Sequence, residues 1–96
     1  MPAFESVDQD FVGGGQVQAS SVQTTSYTKK ITLHGDFVPT HTGPAHPSTP
    51  LSATVIASQF TYLVNGKGVC RIGDSATCGD VITPGPGNLL TVLVGP

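Results

Sequence analysis

Histidine and cysteine are the residues of this chain whose type and spacing point to chemistry. All three histidines, His34, His41 and His46, lie within one short stretch, and Cys78 follows a Gly-Asp pair further along the chain. Three imidazoles and one thiolate satisfy the four positions of a tetrahedral Zn²⁺ site. Because the protein would then fill every position, the pattern predicts a structural zinc site rather than a catalytic one. Iron is the alternative metal, since imidazole and thiolate suit both.

The remaining candidates each have two interpretations. Cys70 is flanked by strand-forming residues, which favours a buried free thiol, and a disulfide with Cys78 is the alternative. His34 lies at a strand end, where it fits either a metal ligand or a side chain packed on the strand. Asp36 and Asp74 each follow a glycine, which favours turn hydrogen bonds over a catalytic carboxylate pair.

Several function classes are disfavoured by the sequence. It has no serine-nucleophile, zinc-protease or phosphate-loop motif, and the Gly13-Gly14-Gly15 run lacks the spacing for phosphate binding. We therefore expect no enzyme and no small-molecule substrate, because a metalloenzyme would also need an open coordination position. Only 4 Lys and Arg occur in 96 residues, which argues against a nucleic-acid partner. No apolar run approaches the length of a membrane-spanning helix.

The composition predicts the elements that position these residues. The 12 glycines and 8 prolines disfavour long helices, and the abundant Val and Thr favour strands. We predict one all-β domain over residues 1–96, and within its N-terminal segment, residues 1–16, Asp8, Asp10 and Gly13-Gly14-Gly15 suggest a loop or a loosely held edge. Asn65-Gly66 predicts a hairpin turn, and the prolines of residues 39–50 predict a loop. The predicted strands are residues 17–22, 26–33, 54–56, 60–64, 69–72, 81–83 and 89–94.

An internal repeat organises the chain. Residues 17–20 match residues 55–58, and Gly35-Asp36 matches Gly73-Asp74, in both cases 38 positions further on. A third, partial copy begins at residue 81 and continues to residue 94. Three copies around an axis bury apolar faces that one copy cannot bury, so the repeat predicts a body of rough threefold symmetry. Aligned by the repeat, Cys78 falls next to His41, so the metal candidates are expected at one end.

The sequence of residues 64–74, Val-Asn-Gly-Lys-Gly-Val-Cys-Arg-Ile-Gly-Asp, and the Ser-Ala-Thr-Cys-Gly that follows it resemble the PAAR-repeat family. That family has a strand, an Asn-Gly-Lys turn, a strand ending in Ala-Arg-x-Gly-Asp and then Cys-Gly. The Gly-Asp pair before His41 and His46 resembles its first metal-binding segment. The resemblance spans about residues 31–94. The chain departs from the family at Cys70, in place of Ala, and at Gly13-Gly14-Gly15, where members often have Gly-His-Gly.

The resemblance implies a fold and a metal. PAAR proteins are small conical β-structures whose tip is held by a metal, commonly zinc, bound by three His and one Cys. By motif, His41, His46 and Cys78 carry over as ligands, and His34 is the remaining histidine for the fourth position. The expected body is therefore three pseudo-repeats around an axis with the metal at the apex.

The resemblance also implies a structural role. Such a protein caps a trimeric β-helical spike, one copy per trimer, and sharpens it for piercing a target cell envelope, whose membrane it contacts transiently. The spike belongs to a type VI secretion system or a contractile phage baseplate. We expect synthesis in the bacterial cytoplasm and delivery outward, with Leu90, Val92 and Leu93 at the base. The alternative is a small zinc-stabilised binding module unrelated to injection machines.

Overall fold

The computed structural model describes residues 3–21, 29–86, 88, 90 and 92–94. The described residues form strands and turns and contain no helix, so none of them can form a membrane-spanning helix. The predicted all-β class is confirmed. The strands are β1 (Ala3–Phe4), β2 (Phe11–Val12), β3 (Gly15–Gln16), β4 (Phe37–Gly43), β5 (His46–Thr54), β6 (Leu63–Val64), β7 (Lys67–Gly68), β8 (Ile82–Thr83) and β9 (Leu93–Val94).

The strands pair antiparallel in four small sheets. The sheets are β1–β9, β3–β2–β8, β4–β5 and β6–β7. The predicted hairpin at Asn65-Gly66 joins β6 to β7, and both turn residues have positive φ, 53° and 77°. Two-residue hairpin turns of this type favour Asn-Gly for that reason.

A closed ring of hydrogen bonds lies at the centre of the body. The N–H of Ser6 donates to Cys70 O, that of Cys70 to Thr32 O, and that of Thr32 to Ser6 O, at 2.9, 2.9 and 3.0 Å. All three side chains are completely buried. The neighbouring residues form three bridges around the ring, which are Glu5–Arg71, Val7–Ile31 and Leu33–Val69. Three segments of the chain thus occupy equivalent places around one axis.

Each of the three segments ends in the same turn. Its aspartate (Asp10, Asp36 or Asp74) is buried and accepts, through Oδ2, the N–H of the residue three positions earlier, at 2.8–2.9 Å. The residue before the aspartate has positive φ in every case. The prediction that Asp36 and Asp74 make turn hydrogen bonds is confirmed. The internal repeat did not reveal the Asp10 turn, because Gln9 precedes Asp10 whereas glycine precedes Asp36 and Asp74.

Residues near both ends of the described chain make contacts like those of the segments that end in Asp36 and Asp74. Ile82 N donates to Asp74 O as Val55 N donates to Asp36 O. β1 then pairs with β9 much as β7 pairs with β6. The predicted arrangement of three copies, the third at residues 81–94, stays a prediction. The body measures 36 × 24 × 23 Å, and its conical outline stays a prediction.

The loop prediction for residues 39–50 is wrong, because these residues form most of β4 and β5. A two-stranded hairpin leaves each strand with one open edge, where a proline without an N–H is tolerated. Pro47 and Pro50 are exposed on β5, and Pro39 lies where the pairing register shifts. The inner side of this hairpin joins a core of small buried residues: Val12, Val17, Val38, Ala53, Val55, Ala57, Cys70, Ala76 and Ile82.

Candidate metal centre

Three equivalent connections meet at one end of the body. Each leaves the ring after one of the turn aspartates and returns at a residue whose N–H donates to that aspartate's carbonyl, at 2.8–3.0 Å. Because the three aspartates are equivalent around the axis, the connections extend from the same end. They are residues 11–16, 37–54 and 75–81.

The second connection supplies two imidazoles. His41 lies in β4, and His46 is the first residue of β5, across a two-residue turn at Pro44-Ala45. Their ring centroids are 4.9 Å apart at an interplanar angle of 68°. Both rings are buried, with 8% and 7% of the residue exposed. The tight hairpin turn therefore holds two imidazoles side by side, away from bulk water.

The third connection supplies a thiol and a carboxylate. Ala76 N donates to Asp80 O at 2.9 Å, and Gly79 N donates to Ala76 O at 3.0 Å. This closed turn needs the positive φ of 95° at Gly79, which glycine adopts without strain. Cys78 packs partly buried against the core, and Asp80 is buried. The turn thus directs both side chains towards the histidines of the second connection.

The four side chains converge on one point. Their ligand atoms, the Nε2 of each histidine, Cys78 Sγ and Asp80 Oδ2, lie within 4.8 Å of one another. Asp80 Oδ2 is 3.4 Å from His41 Nε2, and Cys78 Sγ is 3.6 Å from each of those two atoms. Tetrahedral zinc bonds imply N···O edges of about 3.4 Å and S···N or S···O edges of about 3.6 Å. The three distances given above match these values, whereas the distance from His46 Nε2 to Asp80 Oδ2 is shorter, at 2.8 Å.

The histidine tautomers are set by backbone carbonyls. His41 Nδ1 lies 2.8 Å from Pro39 O, and His46 Nδ1 lies 2.8 Å from Thr49 O. A carbonyl only accepts, so each Nδ1 carries the hydrogen and each neutral ring presents the Nε2 lone pair to the cluster. Metal-bound histidines are oriented in this way by the same kind of hydrogen bond.

His46 Nε2 and Asp80 Oδ2 are both hydrogen-bond acceptors and face each other, which favours a cation between them. His46 Nε2 is buried and makes no hydrogen bond, although a carboxylate oxygen of Asp80 is 2.8 Å away. Two lone pairs at this distance repel each other unless a proton or a metal ion lies between them. A groove of about 460 Å³, lined by Gly13, Ala45, Asp80 and others, lies beside the cluster. The donor set and the geometry therefore both fit a metal ion.

Asp80 is held in a defined orientation. Its Oδ1 accepts the N–H of Ala45 at 2.9 Å, which leaves Oδ2 facing the cluster. Burial acts to raise the pKa of Asp80, but hydrogen bonds, first that from the Ala45 N–H, outweigh it and hold the pKa below its ordinary value. The carboxylate is therefore in the form that binds a cation.

Glycines of the first and second connections make room for these ligands. A Cβ at Gly13 or Gly43 would overlap Asp80 Oδ2, and a Cβ at Gly15 would lie 2.8 Å from the His41 ring. Residues 11–16 form the β2–β3 hairpin around Gly13-Gly14, not the loose edge that their composition predicts. Each of the three connections thus contributes to the centre.

Two predicted candidates lie elsewhere. His34 Nδ1 accepts the N–H of Ala57 at 3.0 Å, and its ring contacts Phe60 edge to face at 5.4 Å, so His34 is not one of the four converging side chains. Cys70 is a completely buried free thiol in the central ring, and it forms no disulfide with Cys78. Burial, followed by the nearby carboxylates of Asp74 and Asp36, raises the pKa of the Cys70 thiol.

Asp80 takes the place that the sequence left to a third histidine. The available signal was its position two residues after Cys78, with only Gly79 between them. The structure thus assembles a buried His41, His46, Cys78 and Asp80 group that is able to bind a metal ion. Comparisons of the chain with protein-family models and with curated proteins found no match.

Proposed function

We propose that this protein is a structural spike-tip protein: it caps the end of a trimeric β-helical spike, one copy per trimer, and is closed at its apex by a metal ion. The spike is that of a type VI secretion system or a contractile phage baseplate, and the tip pierces a target cell envelope. The observation that carries the proposal is the buried four-donor cluster formed where the three equivalent connections meet.

A structural metal is favoured because four protein side chains surround its position. His41, His46 and Asp80 are buried, Cys78 is partly buried, and closed coordination is typical of structural rather than catalytic zinc. Two imidazoles, a thiolate and a carboxylate suit zinc well and also suit iron. The ion would link β4 and β5 to the Cys78–Asp80 turn and so stabilise the end of the body. No step of catalysis is assigned to it.

A threefold partner is favoured by the central ring. The hydrogen bonds among Ser6, Thr32 and Cys70 give one chain an approximate threefold axis, which matches the symmetry of a trimer. Following the chain away from the cluster leads to the pairs β6–β7 and β1–β9, at the other end of the ring. Leu63 and Leu93, at corresponding places in β6 and β9, are 50% and 58% exposed. We assign the spike contact to this end, which includes Leu93 from the predicted base.

The experiment is to mix purified protein with a trimeric β-helical spike fragment and to size the product by light scattering. We expect one chain per trimer. Leu63→Asp should abolish binding, because it places a charge in the proposed contact. Leu51→Asp is the matched control: Leu51 is 38% exposed on β5, next to the metal cluster, and should bind as the parent does. A different stoichiometry, or equal loss in both variants, would contradict the proposal.

A zinc-stabilised binding module unrelated to injection machines is the second candidate. It is favoured by the same metal cluster and does not require a threefold partner. Such a module retains the metal but shows no affinity for the spike fragment, so the mixing experiment separates the two candidates.

A further inference from the structure

Glu5 is a buried carboxyl that neither the metal cluster nor an aspartate turn uses. Only 7% of the residue is exposed, and its Oε1 has no hydrogen-bond partner. The equivalent residues around the central ring are Ile31 and Val69, which belong to a second hydrophobic cluster with Leu33, Val64 and Val94. An ionisable side chain thus occupies a place that is apolar in the other two segments.

Glu5 also lies where the first and last described segments meet. Its N–H donates to Val92 O at 2.8 Å, its carbonyl accepts from the Asn88 side chain at 3.1 Å, and β1 just before it pairs with β9. At the corresponding place in another copy, a covalent turn joins β6 to β7. The strands β1 and β9 are instead far apart in the sequence, so non-covalent contacts hold this pair together.

Arg71 is the backbone bridge partner of Glu5 across this junction. Its guanidinium donates to Val94 O through Nη1 at 3.3 Å and to Ser58 Oγ through Nη2 at 2.6 Å. Arg71 therefore links β9 to the segment that holds Ser58. β9 itself contributes only Leu93 and Val94. The other charged residues on the described segments packed around Glu5 are Asp8, Asp10, Lys29, Lys30 and Asp74.

We propose that Glu5 makes the β1–β9 junction pH-sensitive: the junction is closed while the Glu5 carboxyl is protonated and loosens once the carboxyl ionises. An ionised Glu5 is costly in this apolar place, because its buried Oε1 has no hydrogen-bond partner. The proposal does not rest on the metal or on the proposed function, although β9 also carries Leu93 of the proposed spike contact.

The direction of the effect follows from linkage. Burial raises the pKa of Glu5 from 4.5 to about 7 in the folded protein. A carboxyl whose pKa is raised by folding contributes stability that is fully present below pH 4.5 and is lost as the pH rises through 7. Between pH 5 and pH 8, the equilibrium constant for opening should rise on the order of 70-fold.

Glu5 is the only glutamate in the chain, so glutamate labelled with ¹³C at the carboxyl reports on it directly. We expect its resonance in the folded protein to titrate with a midpoint near 7 and, in urea, near 4.5. A folded midpoint near 4.5 would overturn the proposal. EDTA is included in every sample, so that metal binding adds no pH dependence.

Hydrogen exchange locates the effect. The β1 and β9 amides of the wild type and Glu5→Gln are compared at each pH, so that the intrinsic exchange rate cancels. The two proteins should exchange within a few-fold of each other at pH 5, and the wild type on the order of 100-fold faster at pH 8. Glu5→Leu introduces an apolar side chain, as Ile31 and Val69 provide at the equivalent places, and should behave like Glu5→Gln. Asp8→Asn, a charge-matched control, should retain the wild-type profile. Equal pH dependence in the wild type and both Glu5 variants would refute the proposal.

Discussion

Replacing Asp80 by asparagine separates a metal site from a buried ion pair, because the two interpretations predict opposite effects on the metal-free protein. The introduced amide would retain an oxygen to accept the Ala45 N–H, which is 2.9 Å from Asp80 Oδ1. The NH₂ of that amide would face His46 Nε2, which lies 2.8 Å from Asp80 Oδ2 and makes no hydrogen bond. In EDTA, we therefore expect Asp80→Asn to be neutral or to stabilise the fold by about 1 kcal/mol, the usual value of one hydrogen bond.

With zinc present, the same substitution should weaken the protein. A neutral amide is a poor zinc ligand, and a loss of about 100-fold in affinity corresponds to about 3 kcal/mol. If free zinc is held at about 1,000 times the wild-type dissociation constant, zinc stabilises the wild type by about 4 kcal/mol. The variant should keep only about 1 kcal/mol of that stabilisation.

Urea denaturation followed by circular dichroism, with EDTA or with buffered zinc, measures both quantities. If the cluster were only a buried ion pair of protonated His46 with Asp80, removing one charge would cost about 3–5 kcal/mol with or without zinc. A loss of that size in EDTA, or an unchanged zinc increment in Asp80→Asn, would refute the assignment.

Two further predictions concern the same end of the body. Gly43→Ala places a Cβ against Asp80 Oδ2, so the zinc affinity of this variant should fall by about tenfold or more. Competition with a chromophoric chelator measures the affinity. An unchanged affinity would contradict this packing. Iodoacetamide at pH 8 should modify Cys78 in EDTA but not with zinc, as measured by mass spectrometry. Cys70 should stay unmodified in both conditions, because it is fully buried and the pKa of its thiol is raised. Modification of Cys70 in the folded protein would contradict its buried placement.

Much of the fold could be predicted from local chemistry. The β-branched composition predicted an all-β chain, Asn65-Gly66 predicted its hairpin, and the Gly-Asp pairs predicted the turns at Asp36 and Asp74. These features depend on a few neighbouring residues, whose backbone preferences act at short range. The strand boundaries were less accurate, because pairing in the central ring is made of single bridges between distant segments.

The features that were missed depend on long-range contacts. Asp10 makes the same turn as Asp36 and Asp74, but Gln9 conceals it because a non-glycine residue there adopts a φ of 69°. Pro47 and Pro50 argued against strand, yet they lie exposed in a hairpin with an open edge. Such compensations come from the tertiary structure and leave no local pattern.

Only part of the candidate metal centre could be predicted from the sequence. The repeat indicated that Cys78 and His41 share an end, and the structure brings both together with His46. Asp80 was not anticipated, because an aspartate beside a glycine is usually a turn residue. His34 was included only because it was the remaining histidine, and its ring is instead occupied by Ala57 and Phe60.

Metal content, measured on protein purified without added metal and again after zinc loading and desalting, tests the central claim most directly. We predict one metal ion per chain in the wild type and in His34→Ala, and a loss of the metal in Cys78→Ala and in His46→Ala. Cobalt substitution of the wild type should add the charge-transfer absorption of a thiolate ligand, and Cys78→Ala should lack it. A metal-free wild type after loading, or a variant at position 34 that loses the ion while Cys78→Ala keeps it, would contradict the account.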